Sequence, residues 1–161
     1  MISCAPHVVD VDYVGGTIAF DSPAHVEAPA GEVSFTNRTL LFVEAFVNDR
    51  GPFDFAVDTG AEMSVISPDL VSELDLRTLP APDLFGLGGD SPSLHARSAR
   101  LERMHVSGYR FEGFDVAVGS FFDHLRAATG VAFRGVLGYT FFAGNLVRFD
   151  FPRSRLSLIR R

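Results

Sequence analysis

Short runs of alternating apolar and polar residues recur along this chain, and such runs are typical of strands with one buried face. Three other segments carry helix signals, but each is short. We therefore predict an all-β domain with a few short helices. The predicted strands are residues 8–14, 17–20, 33–35, 40–47, 53–57, 64–67, 101–106, 109–114, 115–118, 146–151 and 156–159.

The helix signals come from caps and from spacing. Ser67 is a suitable N-cap and Pro68 fits the first helical position, so a helix is expected to begin there. Farther along the chain, apolar residues recur at helical spacing and Gly130 ends the pattern. The predicted helices are residues 68–74, 121–128 and 139–143.

Glycine, proline and asparagine divide the strands. Residues 48–52 predict a turn between two strong strands. Residues 79–93 contain too many glycines and prolines for a core element. The remaining turn or bulge signals are Gly15-Gly16, Ser107-Gly108 and Gly113.

Composition and charge limit the possible functions. The chain has 161 residues, which suits a single domain. Its net charge is −6 without a dense run of Lys or Arg, which argues against nucleic acid or an anionic membrane as a partner. Because no signal peptide or membrane-spanning stretch is evident, the chain as written is expected to be cytoplasmic. Sixteen Phe and no Trp predict a Phe-rich core or substrate groove.

Cysteine and histidine do not predict a metal site. Cys4 is the only cysteine, so an intrachain disulfide cannot form. A nucleophilic role for its thiol is formally open, although it lies near the terminus. The histidines show no paired-ligand spacing, so we expect neither a metal nor a cofactor. They are His7, His25, His95, His105 and His124.

One stretch concentrates the candidate chemistry. The apolar strand that begins at Phe53 ends in Asp58-Thr59-Gly60, and a second apolar run follows at once. A carboxylate at the tip of a tight loop on a hydrophobic base is costly unless it is hydrogen-bonded or functional. Thr59 can hydrogen-bond locally and Gly60 permits close backbone approach. The alternative is an aspartate that merely caps a turn.

This stretch resembles the active-site loop of aspartic proteases, and a single copy in so short a chain resembles the retropepsin-like branch. A second hallmark of that family is two hydrophobic residues followed by glycine, and Val136-Leu137-Gly138 matches it, ending eighty residues after Asp58. The resemblance covers residues 32–159. It implies an all-β, retropepsin-like half-barrel with a flap hairpin, one lobe per chain, that works as a homodimer. Residues 1–31 would then be an N-terminal extension of unassigned role, and residues 32–161 the protease domain.

The resemblance also implies roles for individual residues. Asp58, Thr59 and Gly60 would form the catalytic loop, with Thr59 locking the two loops of the dimer together. Ala61 and Glu62 would bind substrate. Val136, Leu137 and Gly138 would support the loop, and Gly86, Gly88 and Gly89 would form the tip of a flap over the substrate. A plain surface loop is the alternative for the flap segment.

One position departs from the family pattern. Retroviral enzymes usually carry Asp where this chain has Glu62, and pair it with an Arg just after the hydrophobic-glycine motif. Here Tyr139 occupies the second position, so that ion pair is absent.

Two functions follow from the resemblance. The first is an aspartic endopeptidase, in which two Asp58 carboxylates, one from each subunit, activate a water that hydrolyses a peptide or protein substrate. The second is a dimeric peptide-binding or scaffold module of the same fold without turnover.

Overall fold

The computed structural model describes residues 6–21, 31–81 and 97–160. Its helices are α1 (Pro68–Glu73), α2 (Phe122–Thr129) and α3 (Tyr139–Phe142). Its strands are β1 (Val8–Asp12), β2 (Thr17–Asp21), β3 (Val33–Ser34), β4 (Thr36–Asn37), β5 (Leu41–Val47), β6 (Arg50–Val57), β7 (Val65–Ile66), β8 (Thr78–Pro80), β9 (Arg97–Val106), β10 (Tyr109–Val118), β11 (Gly135–Leu137), β12 (Asn145–Asp150) and β13 (Arg155–Arg160).

Six strands close into a barrel, which confirms the predicted all-β fold. The order is β5-β6-β11-β7-β10-β9, and a pairing of β9 with β5 completes the ring. Most neighbours are antiparallel, but β11 is parallel to β6 and β10 is parallel to β7. Since parallel neighbours need crossover connections, segments distant in sequence meet inside the barrel.

A second sheet has the order β2-β1-β12-β13-β3. The hairpin β1–β2 therefore joins the sheet of the two C-terminal strands, and Arg148 of β12 binds the carboxylate of Asp10 on β1. Val9 lies in the main core, whereas Ile18 on β2 is 64% exposed. The predicted domain boundary at residue 32 remains a prediction, but strand β1 contributes to the core.

Phenylalanine fills two separate clusters. The main core holds Phe55, Phe141 and Phe142 among its buried side chains. A smaller cluster holds Phe42, Phe122 and Phe133, with α2 supplying Phe122. The sequence predicted that the Phe residues fill either a core or a substrate groove. These buried rings support the core.

The predicted turn at residues 48–52 is wrong in length. Asn48 and Asp49 both have positive φ angles, so the chain reverses within two residues and β6 already begins at Arg50. Paired left-handed residues of this kind match the twist of a two-residue hairpin. The prediction counted Gly51 and Pro52 as turn residues from their type alone.

The predicted break between residues 114 and 115 is also wrong. Residues 109–118 form one strand, and its register against β9 is unchanged on both sides of Gly113. Gly113 adopts a φ of +60° within that strand. The glycine thus marks a local backbone conformation but not the end of a strand.

Other local predictions are confirmed. Ser67 caps α1 by accepting a hydrogen bond from the Leu70 amide, and Gly130 ends α2 in the left-handed conformation. Ser107 and Gly108 form the turn between β9 and β10.

The N-terminal hairpin offers a test of its place in the core. Val9→Ala should lower the free energy of unfolding by about 2 kcal/mol, because it removes buried methyl groups and leaves a small cavity. Ile18→Ala, on the exposed strand of the same hairpin, should change it by less than about 0.5 kcal/mol. Chemical denaturation monitored by circular dichroism measures both, and equal effects would contradict the packing described for β1.

Candidate active site

The loop after β6 presents Asp58 at the surface. The last residues of β6, Phe55 to Val57, are buried, whereas Asp58, Thr59 and Gly60 are exposed. The Asp58 carboxylate accepts a hydrogen bond from the Gly60 amide at 2.9 Å, and the Ala61 amide donates to the Asp58 carbonyl at 3.3 Å. These two bonds fold the loop into a tight turn with the carboxylate at its tip.

Strand β11 braces this loop from behind. It runs parallel to β6 with Val136 opposite Ala56 and Leu137 opposite Val57. The Leu137 carbonyl accepts a hydrogen bond from the Asp58 amide at 3.0 Å. Successive side chains of a strand point to opposite faces, and Val136 enters the smaller cluster while Leu137 enters the main core. Through its hydrogen bond to β11, the loop is therefore anchored to both hydrophobic clusters.

Gly138 lies where the loop and the β11 strand end come closest. A Cβ atom there would meet backbone atoms of Met63 and would lie 2.8 Å from the Ala61 carbonyl oxygen. The next residue, Tyr139, donates its amide to that same carbonyl at 2.8 Å. Only glycine allows this approach.

A polar pair, the buried Ser64 and the partly buried Thr140, completes the brace, and sequence reasoning missed it. The Ser64 hydroxyl accepts hydrogen bonds from the Gly138 amide and the Thr140 hydroxyl, each at 3.1 Å. The Thr140 hydroxyl in turn accepts from the Ser64 amide at 2.9 Å. Since these residues are more than seventy positions apart, no local pattern could have paired them.

Tyr13 is a second residue that sequence reasoning missed. It follows β1, and its hydroxyl donates to the Thr59 carbonyl at 3.5 Å. Its ring stacks on Phe142 with centroids 5.6 Å apart and lies 5.6 Å from the Tyr139 ring. Burial raises the pKa of the Tyr13 hydroxyl, and the negative charge of Asp58 raises this pKa further. No sequence signal linked this residue to the loop.

The structure brings some predicted site residues together and leaves others apart. Asp58 to Ala61 and the Val136-Leu137-Gly138 motif are in direct contact through backbone hydrogen bonds. Glu62 follows the loop with its side chain exposed. The predicted flap residues Gly86, Gly88 and Gly89 lie outside the described residues. Tyr139 packs against Tyr13, in the position where the family pattern has an arginine.

The other features that could indicate a function are a surface cleft, a metal site and a membrane-spanning helix. A surface cleft of about 580 Å³ is lined by residues of β8, β9 and β10 and by the segment that follows α1, but none of the predicted site residues lines it. Within residues 6–21, 31–81 and 97–160 no group of three or more metal-ligating side chains comes together. In the same ranges no helix is long and apolar enough to cross a membrane.

The barrel, the exposed Asp-Thr-Gly loop and the glycine motif behind it together define an aspartic-protease lobe. The chain belongs to the aspartyl protease family, whose sequence model matches residues 43–141. That range contains the whole loop and the supporting motif. No curated protein sequence matches the chain.

The chain is also similar to several solved structures. A retropepsin-like aspartic protease from Rickettsia conorii has 23% sequence identity and a TM-score of 0.51, with 81% of this chain and 94% of that chain covered. The retroviral protease-like domain of Ddi1 from Leishmania major has 14% identity and a TM-score of 0.49, with 74% and 87% covered. The EIAV protease, solved with the inhibitor HBY-793, has 19% identity and a TM-score of 0.40, with 70% and 88% covered. The first of these likenesses supports the retropepsin-like fold of this chain.

Gly138 provides a test of the brace. Gly138→Ala should lower the free energy of unfolding by more than about 2 kcal/mol, because the new methyl group collides with backbone atoms that cannot move independently. Gly108→Ala is the matched control, since a Cβ there meets nothing within 4 Å. Thermal and denaturant unfolding compare the two variants. Equal stability would show that the loop does not depend on close approach at Gly138.

Proposed function

We propose that this protein is an aspartic endopeptidase that acts as a homodimer, with Asp58 of each subunit in one shared active site. The observation that carries the proposal is the exposed Asp58 carboxylate on a loop fixed to the buried end of β6 and to the buried strand β11. A fixed, solvent-facing carboxylate suits proton transfer to and from water. A turn-capping aspartate would not need such a brace.

The need for a second copy follows from the chemistry. Hydrolysis of a peptide bond by this route uses one carboxylate as base and one carboxylic acid as donor. The chain contains a single Asp-Thr-Gly sequence. A two-fold axis beside the loop would supply the second Asp58 from an identical subunit. Two facing carboxylates hold one proton between them, because both cannot be charged comfortably at close range.

The proposed reaction proceeds in two stages. The charged Asp58 removes a proton from water, whose oxygen attacks the peptide carbonyl carbon. The protonated Asp58 of the other subunit donates its proton to the carbonyl oxygen, which gives a tetrahedral diol. The first carboxyl then passes its proton to the amide nitrogen, and the carbon–nitrogen bond breaks. A diol proton returns to the second carboxylate, so the pair recovers its single proton.

The neighbouring residues are assigned supporting roles. Thr59 would connect the two loops across the dimer axis, and Gly60 would orient Asp58 through its amide. Ala61 and Glu62 would face the substrate, which would bind as an extended strand through main-chain hydrogen bonds. Val136, Leu137 and Gly138 would hold the loop in place, and Gly86, Gly88 and Gly89 would close over the substrate.

Asp58→Asn tests the catalytic assignment. The variant should lose peptide cleavage by at least about a thousandfold, because the amide cannot act as the base. Asp54→Asn is the matched control, since Asp54 is an exposed aspartate of β6 outside the loop, and it should keep its activity. Cleavage of fluorescein-labelled casein across mildly acidic to neutral pH gives the comparison. Full activity of Asp58→Asn, or inactivity of the wild-type dimer under all these conditions, would refute the enzyme and favour a binding module.

Mixing the variant with wild-type protein tests the shared site. Both proteins are unfolded together and refolded in varied proportions, and total activity is measured. If each site needs one Asp58 from each subunit, only wild-type pairs are active, and an equal mixture keeps about one quarter of the activity by random pairing. Independent sites in single subunits would keep about one half.

A further inference from the structure

We propose that Tyr13, from the N-terminal hairpin, is a positioning residue that orients the Asp58 carboxylate through a single peptide group of the loop. The inference rests on the proposed function for its catalytic consequence, but the positioning itself is measurable without activity. It gives a role at the active site to a segment that lies outside the family resemblance.

One peptide group of the loop links two hydrogen bonds covalently. The Tyr13 hydroxyl donates to the carbonyl of Thr59, and the amide of Gly60 donates to Asp58 Oδ1. That carbonyl and that amide belong to the same planar peptide group. A donor on the carbonyl oxygen polarises the group and strengthens the amide as a donor. The Tyr13 hydroxyl therefore acts on Asp58 without touching it.

Tyr13 is itself held in place from three sides. Its amide donates to the Asn145 carbonyl at 3.2 Å, at the start of β12. Its ring stacks at 14° on the buried Phe142 and also contacts Tyr139. The β1–β12 pairing fixes the strand that leads to it. The five-stranded sheet thereby delivers a preorganised hydroxyl to a loop of the barrel.

The charges around Tyr13 keep its hydroxyl a donor. Among the described residues, the ionisable groups seen to face it are Asp58 on the loop and Tyr139 on α3. Burial and the Asp58 charge both raise the pKa of Tyr13, so the phenol stays protonated at and well above neutral pH. A phenolate could only accept, and it would repel both the Thr59 carbonyl and Asp58.

A purely structural role for Tyr13 makes a different prediction. If the residue only anchored the hairpin, its ring contacts would suffice, and the hydroxyl would be dispensable. Tyr13→Phe keeps the ring and removes only the hydroxyl. Tyr109→Phe is a matched control, because the Tyr109 hydroxyl also bonds backbone groups, at Gly31 and Leu158, away from the loop.

The experiment combines amide NMR with kinetics on a fluorogenic peptide chosen from the casein cleavage sites. In Tyr13→Phe the Gly60 amide proton should move upfield as its bond to Asp58 weakens, and kcat should fall about fivefold, the equivalent of one hydrogen bond, with KM unchanged. Tyr109→Phe should leave the Gly60 resonance and kcat in place. In Asp58→Asn, ultraviolet titration should place the Tyr13 phenol at a lower pKa than in wild type, since the raising charge is gone.

Each outcome decides the inference. An unmoved Gly60 resonance in Tyr13→Phe, or a moved resonance with unchanged kcat, would overturn it. An equal response in Tyr109→Phe would show a general loss of stability and would also overturn it. If the wild-type protein cleaves no peptide, the proposed function fails, and the Gly60 resonance together with the Tyr13 titration still decides whether Tyr13 positions Asp58.

Discussion

The parallel pairing of β6 with β11 is the constraint on which the rest of the site depends. It places the end of β6 beside a segment eighty residues farther along the chain, and it fixes the Asp58 amide to the Leu137 carbonyl. A parallel pair cannot be closed by a short hairpin, so the intervening strands must wrap around it. These intervening strands form the rest of the barrel. The pairing of β5 with β9 closes the barrel.

The loop is held in its conformation by backbone groups more than by side chains. The Asp58 carboxylate is oriented by an amide, the loop is held by carbonyls and amides, and Ser64 and Thr140 complete the set as a hydrogen-bonded pair. Backbone groups in sheets have little freedom to move, which is what a reacting group requires. This arrangement requires glycine at position 138, because any side chain there would push the backbone of β11 away from the backbone of Ala61 and Met63.

The local parts of this structure could be predicted from the sequence, and the long-range parts could not. Ser67-Pro68 and Gly130 determine helix ends through their own backbone preferences, so the predicted helices agree with the structure. Gly51-Pro52 and Gly113 misled the prediction, because residue type alone does not show where a turn ends and does not distinguish a local kink from a strand end. Family resemblance supplied the pairing of the loop with its glycine motif. Tyr13, Ser64 and Thr140 carry no motif, and only the folded chain shows their contacts.

The outer edge of β2 has a consequence for how the molecule behaves in concentrated solution. Among the described strands none lies beyond it, and Ile18 and Phe20 project from it with more than half of their surface uncovered. Unpaired N–H and C=O groups on an edge strand can pair with a strand of another molecule. The β2 edge of the described sheet is therefore prone to self-association. The net charge of −6 opposes this by mutual repulsion between molecules. Colloidal stability should therefore decline as pH approaches the isoelectric point near 5.2.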